Sequence, residues 1–125
     1  SYTDAFLPQS ARSAVIDTGR LNRITQIDAD GLWVTVETGV TWAELDAALA
    51  PHGVRTPFWG PFSGHAATVG GSLSQGTATF GSGRVGSSGN AVLGLEVVLA
   101  DGRRVVTGSG GRAGAPSGRC HPHRF

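Results

Sequence analysis

Residues 68–86 read TVGGSLSQGTATFGSGRVG, nineteen positions made chiefly of glycine, serine and threonine, with Arg84 the single charged side chain. Two roles suit such a stretch. Gly and Ser keep a surface linker flexible and solvated; they also let a backbone pass close to a flat or anionic ligand and hold its oxygens in a nest of N–H groups. Gly70 and Gly71 follow Thr68-Val69 and precede Ser72-Leu73-Ser74, which predicts a close passage and then a short helical turn with partial positive charge at its start. The hydroxyls of Thr68, Ser72, Ser74 and Thr77 would add donors. Neither the spaced-glycine nucleotide fingerprint nor a Walker-type GK[ST] is present, and on spacing alone a turn-rich loop is the readier account.

Other chemically capable residues are few. His65, in SGHAAT, has a ring nitrogen within the same region, although an exposed loop histidine needs no special site. Cys120, His121 and His123 fall within four positions, but a structural zinc site needs four ligands and a fold around them, so no metal site is assigned. Asp30 and Asp101 precede glycines in turns and Glu44 sits in a helix cap, which leaves no carboxylate pair for acid–base work and no catalytic residue to assign. Arg84 suits a phosphate contact and a solvated loop equally well.

The elements that would position the loop are better marked. AVID at 14–17 reads as a short strand. ITQIDADGLWVTVETG at 24–39 alternates apolar and polar residues around Asp30-Gly31, which predicts a hairpin with a two-residue turn of positive φ. TWAELDAALAPHG at 41–53 opens with Thr41 and has Glu44 three places on, a capping box, then Leu45, Ala48 and Leu49 on one helical face before Pro51 and Gly53 stop it. Regular periodicity disappears from Val54 to Gly89, and so long a loop inside a domain points to function or disorder. Order returns in VLGLEVVLADGRRVVTG at 92–108, a second hairpin signature around Asp101-Gly102, whose first run is apolar enough for a central strand buried on both faces. Beyond it, GSGGRAGAPSGRCHPHRF has one large apolar residue, Phe125, and reads as a disordered tail over 108–125.

Composition bounds the whole. A chain of 125 residues, 39% hydrophobic and 15% charged, has enough apolar surface for one modest core, placed at residues 1–107. Nine acids against ten bases give a net charge of +1, so no basic footprint for nucleic acid or anionic membrane exists. The apolar runs fall short of a membrane span and the N-terminal SYTDAFLPQ is not a secretory signal, which sets a cytoplasmic location as the expectation. One cysteine makes no internal disulfide. Every basic residue is Arg, Met is absent and the chain opens at Ser1; a piece of a longer protein is expected.

The order of four blocks adds a resemblance. VIDTGRLNRITQID, VETGVTWAELDAALAPHG, ATVGGSLSQGTATFGSGRVG and GLEVVLADGRRV occur in the order found in the FAD-binding domain of the vanillyl-alcohol oxidase and p-cresol methylhydroxylase (PCMH-type) flavoproteins, which the chain resembles from Ser1 to about Gly114. The resemblance implies an α+β fold, chiefly the second of two subdomains between which FAD lies, with a mostly antiparallel sheet and flanking helices. It implies that Thr68, Val69, Gly70 and Gly71 line the flavin diphosphate, and that Ser74, Gly76 and Thr77 follow the cofactor as far as Gly81. Ser1, Tyr2 and Asp4 look like the end of the family's first phosphate loop, with Thr3 where a glycine is usual. TPFWGP at 56–61 stands at the family's proline-rich lead-in, which makes Pro57 and Pro61 cofactor contacts; Phe58 and Trp59 suit a core equally well.

The glycines that should precede Ser1, the histidine that carries covalent flavin in many members and the substrate domain have no counterpart here, and the tail resembles nothing in the family. The expected function is therefore that of an FAD-binding segment of an oxidase or dehydrogenase, not competent alone, serving a small-molecule electron donor in the full protein. The alternative is a non-catalytic module built on the same scaffold.

Overall fold

The computed structural model describes residues 7–8, 10–60, 64–76 and 78–108. Strand β1 (Ile24–Asp28) pairs antiparallel with β2 (Trp33–Val36), and β3 (Gly94–Val98) pairs antiparallel with β4 (Arg104–Gly108). Among the described residues these are two separate two-stranded sheets. In chain order, the described residues between the two hairpins form three α-helices, α1 (Trp42–Leu49), α2 (Val69–Gln75) and α3 (Ser82–Val85). The small α+β architecture agrees with the fold expected from the resemblance.

Local chemistry explains α1. Thr41 accepts a hydrogen bond from the Glu44 N–H, and the Glu44 carboxylate accepts from the Thr41 N–H at 2.9 Å and hydroxyl at 2.8 Å. That capping box satisfies donors which the first turn leaves without helical partners. Trp42, Leu45 and Leu49 then share one buried face. A 3₁₀ turn over Ala50–His52 tightens the end, and Gly53 exits at φ +69°, a left-handed conformation that glycine adopts without steric cost.

The core consists of Val40, Trp42, Leu45, Leu49, Phe58 and Val69, with Ile24, Ile27, Val34 and Val36 of the first hairpin packed against it. Helix α1 thus lies on β1–β2. The hairpin's pairing continues beyond its strands, since Glu37 N donates to Arg23 O, Gly39 N to Leu21 O and the Arg23 guanidinium to Glu37 Oε1 at 2.6 Å. No residue of β3 or β4 belongs to the core or to its packed neighbours among the described residues.

Four sequence expectations need correction. Residues 14–17 form no strand, and Val15 and Ile16 are exposed, because no neighbouring strand accepts their backbone groups among the described residues. The first hairpin turns through four residues, 29–32, and its positive φ falls on Leu32 at +55° rather than on Asp30 or Gly31. Asp28 Oδ1 accepts the Gly31 N–H at 2.6 Å and fixes this longer turn; a Cβ at Gly31 would lie 2.8 Å from Trp33 Nε1, so a larger residue there would have to displace the indole. The strand at 94–98 is not buried on both faces: Leu95, Val97 and Val98 are all exposed, since among the described residues β3 has one strand partner and no layer of the core covers it. Finally, the region from Val54 to Gly89 is less irregular than its sequence, for it holds α2, α3 and a 3₁₀ turn at Ser88–Ala91.

Candidate functional site: the glycine helix and its lead-in

Two extended segments meet before either turns into a helix. Thr41 and Thr68 form an antiparallel bridge, in which Trp42 N donates to Ala67 O at 3.1 Å and Val69 N to Val40 O at 2.8 Å. Each threonine is then the N-cap of the helix it precedes. The glycine run begins at this junction, so its path is set by α1 as much as by its own sequence.

The glycines lie inside α2 rather than ahead of it. Gly70 N donates to Thr38 O at 3.0 Å, Gly71 N to Thr68 Oγ1 at 3.1 Å and Ser72 N to Thr68 O at 3.0 Å. With Val69 N on Val40 O, every N–H of the first turn already has an acceptor within the protein. The expected nest of open donors therefore does not form there, because neighbouring carbonyls approach closely enough to fill it. Gly70 permits that approach: a Cβ would overlap Thr38 Oγ1 and lie 2.6 Å from Thr38 Cβ.

The residues singled out in sequence divide by environment. Val69 is core, Gly70 is pressed on Thr38 and Thr68 is the cap. Gly71, Ser74 and Gly76 are exposed. Gly76 ends the helix at φ +61°, and among the described residues beyond its own neighbours a Cβ there would meet no atom within 4 Å. One side of α2 thus presents Gly71, Ser74 and Gly76 to solvent.

Pro57 and Gly81 come together elsewhere in the same loop. Trp59 and Phe80 form an antiparallel bridge, with Trp59 N donating to Phe80 O at 3.1 Å. Gly81, at φ +100°, faces the Pro57 carbonyl so closely that a Cβ would collide with it. Around this junction lies a cleft of 330 Å³ lined by Asp46, Arg55, Pro57, Trp59, Phe80 and Gly81, among others. Phe58 is buried in the core while Trp59 is half-buried at the cleft, which separates the two aromatics.

Sequence reasoning passed over Trp42. Its indole is 4% exposed and donates from Nε1 to the buried Ser72 Oγ at 2.9 Å. The 42, 45, 49 spacing with Leu45 and Leu49 was the available signal. The carboxylates with displaced titration hold structural posts: Glu37 lies below the ordinary range through its hydrogen bonds from Arg23, Glu44 through Thr41, and Asp101 through the Arg103 N–H and side chain. His65 is exposed. Ser1, Tyr2, Pro61, Thr77 and the Cys120, His121, His123 cluster lie outside the described residues, as does the tail beyond Gly108. Among the described residues no group of three or more His, Cys, Asp or Glu could hold a metal ion, and no helix is long and apolar enough to cross a membrane.

With the geometry in view, the decisive comparison is with the FAD binding domain family, which matches residues 3–108. The chain belongs to that family. This FAD binding domain is 36% identical over 94 residues to the D-2-hydroxyglutarate dehydrogenase of Pseudomonas putida, covering 73% of the chain and 9% of that protein. It is 36% identical over 95 residues to the D-lactate dehydrogenase of Archaeoglobus fulgidus, covering 75% of the chain and 20% of the relative. The L-gulonolactone oxidase of Mus musculus is 34% identical over 88 residues, with 70% of the chain and 19% of the relative covered. The PCMH-type resemblance and the FAD cofactor implied by it are those of the family, and the FAD binding domain here spans a fifth or less of these curated relatives.

Proposed function

We propose that this chain is part of the cofactor-holding portion of an FAD-dependent dehydrogenase or oxidase, and that the outward side of α2 together with the 57–60 lead-in forms its contact with the flavin diphosphate. The observation that carries this reading is the Trp59–Phe80 bridge, which joins the lead-in to the far end of the glycine loop and sets Pro57 against Gly81. The bridge brings the lead-in beside the end of the second stretch assigned to the cofactor by resemblance, which supports reading the two as parts of one contact.

The residues present suit the group in a particular way. The first-turn N–H groups of α2 are engaged by Val40, Thr38 and Thr68, so the donors that the described part of α2 and its cap offer a diphosphate are the exposed Ser74 hydroxyl and the hydroxyl hydrogen of Thr68. Gly71 and Gly76 let the cofactor approach the helix backbone. Bound FAD supplies the electron-transfer chemistry, and the chain supplies binding and orientation. The electron donor would be a small molecule recognised by parts of the full protein outside this chain.

Such a partial contact surface must still offset the several kcal/mol cost of association, which places the Kd of the chain alone at ~10 μM to 1 mM. The test is an FAD titration of the purified chain, followed by flavin fluorescence and calorimetry, repeated with Gly71→Val. Weak binding further weakened by the valine, with the thermal unfolding of the variant still cooperative, is the expected result. Nanomolar binding by the chain alone would contradict the partial site. Binding indifferent to Gly71→Val would remove α2 from the contact and favour a module that uses another surface.

A further inference from the structure

We propose that Trp42 is the positioning residue of the cofactor loop, acting through Ser72, through Gly60 against its ring and through Gly64 against its Cβ. The inference rests on the diphosphate surface proposed above. Trp42 touches that loop at four places. Its N–H donates to Ala67 O, the residue before the α2 cap. Its indole Nε1 donates to Ser72 Oγ at 2.9 Å, inside the first turn of α2. Gly60, at the end of the lead-in, lies so close to the ring that a Cβ would overlap Cδ1 and lie 2.7 Å from Cγ. Gly64, at φ +71°, would bring a Cβ within 2.9 Å of Trp42 Cβ.

These contacts fix the two halves of the surface relative to one another. The lead-in reaches α2 across a single rigid ring, and the ring is oriented because its polar atom has one buried partner. Both partners of that bond are buried, Trp42 at 4% and Ser72 at 5% exposure, so water cannot replace either side without opening the core. Thr41, the residue before Trp42, is bridged to Thr68, so the indole enters the loop from a backbone already tied to the α2 cap. Ser72 itself faces inward while Ser74 is exposed, so the helix face that binds and the face that is positioned are distinct.

The experiment compares wild type, Ser72→Ala, Trp42→Phe, the double variant and Ser72→Thr in FAD titrations, with visible circular dichroism of the bound flavin and amide exchange at Gly70 and Gly71 read on the same samples. Ser72→Ala keeps the indole packed and removes only its acceptor. About a tenfold loss of FAD affinity is expected for it, with an altered flavin dichroism, faster exchange at the two glycines and recovery by Ser72→Thr. The double variant should bind no more weakly than Trp42→Phe, since the two changes break one interaction. Unchanged affinity and dichroism in a cooperatively folded Ser72→Ala would overturn the inference, even where Trp42→Phe fails to fold. Should that occur while Gly71→Val weakens FAD binding, the diphosphate surface stands and the positioning role falls. Should Gly71→Val have no effect, or wild type bind no FAD, both fall together.

Discussion

Gly70 lies against Thr38 with no room for a methyl group: a Cβ would overlap the threonine Oγ1 and stand 2.8 Å from its backbone oxygen. Its neighbour Gly71 is exposed, and the contact a Cβ there would make with a described side chain is with Thr68 Oγ1, at 2.9 Å. Adjacent glycines thus have different reasons to be glycine. One closes the fold, and the other leaves the outer face open.

Gly70→Ala should lower stability by about 2 kcal/mol, because the overpacking of a rigid backbone contact exceeds the gain in helix propensity. Gly71→Ala should stay within about 0.5 kcal/mol of wild type, since the same propensity gain offsets a slight shift of the cap hydroxyl. Urea unfolding midpoints distinguish the two. Equal losses would mean that the contact with Thr38 does not govern the site.

Thr41→Ala should cost about 1 kcal/mol through loss of the α1 cap. The Glu44 half of the cap depends on pH. Hydrogen bonds from the Thr41 N–H and hydroxyl hold its carboxyl below the ordinary value of 4.5, so its contribution is complete above that value and is lost as pH falls through the lower folded one. The stability difference between wild type and Glu44→Gln should therefore shrink on acidification and be largest near neutrality. Denaturant titrations across this range provide the check, and a difference that grew with acid would reverse the assignment.

Leu32 has φ +55°, a left-handed conformation that costs a branched residue about 1 kcal/mol or more. Leu32→Asn should raise stability by about 0.5 kcal/mol, since asparagine tolerates this region and the leucine is 43% exposed. Thermal unfolding reads the change directly. A loss of stability would show that the leucine side chain contributes more by packing than its backbone costs.

The two hairpins should differ in amide protection. β1–β2 packs on α1 through Ile24, Ile27, Val34 and Val36, whereas β3–β4 contributes nothing to that core and leaves Val98 69% and Val106 63% exposed. An isolated two-stranded ribbon is marginal in water, so β3–β4 amides should exchange through a much smaller opening free energy than those of β1–β2. Val98→Lys with Val106→Lys should leave the main unfolding midpoint unchanged, since neither residue belongs to the core. Equal protection of both hairpins would contradict this ranking.

The sequence by itself determined the features that depend on near neighbours. The Thr41 and Glu44 cap, the α1 face at Leu45 and Leu49, and the existence of two hairpins were legible because each rests on hydrogen bonds or side-chain spacing within a few residues. The four ordered blocks likewise placed the chain in the FAD binding domain family. Tertiary structure decided what those local signals leave open. Asp30-Gly31 and Asp101-Gly102 look alike in sequence, yet the first loop puts its positive φ on Leu32 and the second on Gly102, because Asp28 and the Trp33 ring shape the former. The apolar run of β3 predicted burial, but burial requires a second layer, and none of the described residues provides one. Most consequential is the glycine loop: composition marked it as a ligand surface, but Thr38, Val40 and Trp42 lie 30 residues or so away in sequence and act only through space. The Thr38 and Val40 carbonyls take helix donors and the Trp42 indole takes the Ser72 acceptor, so the fold, not the local pattern, determines which face of α2 stays exposed.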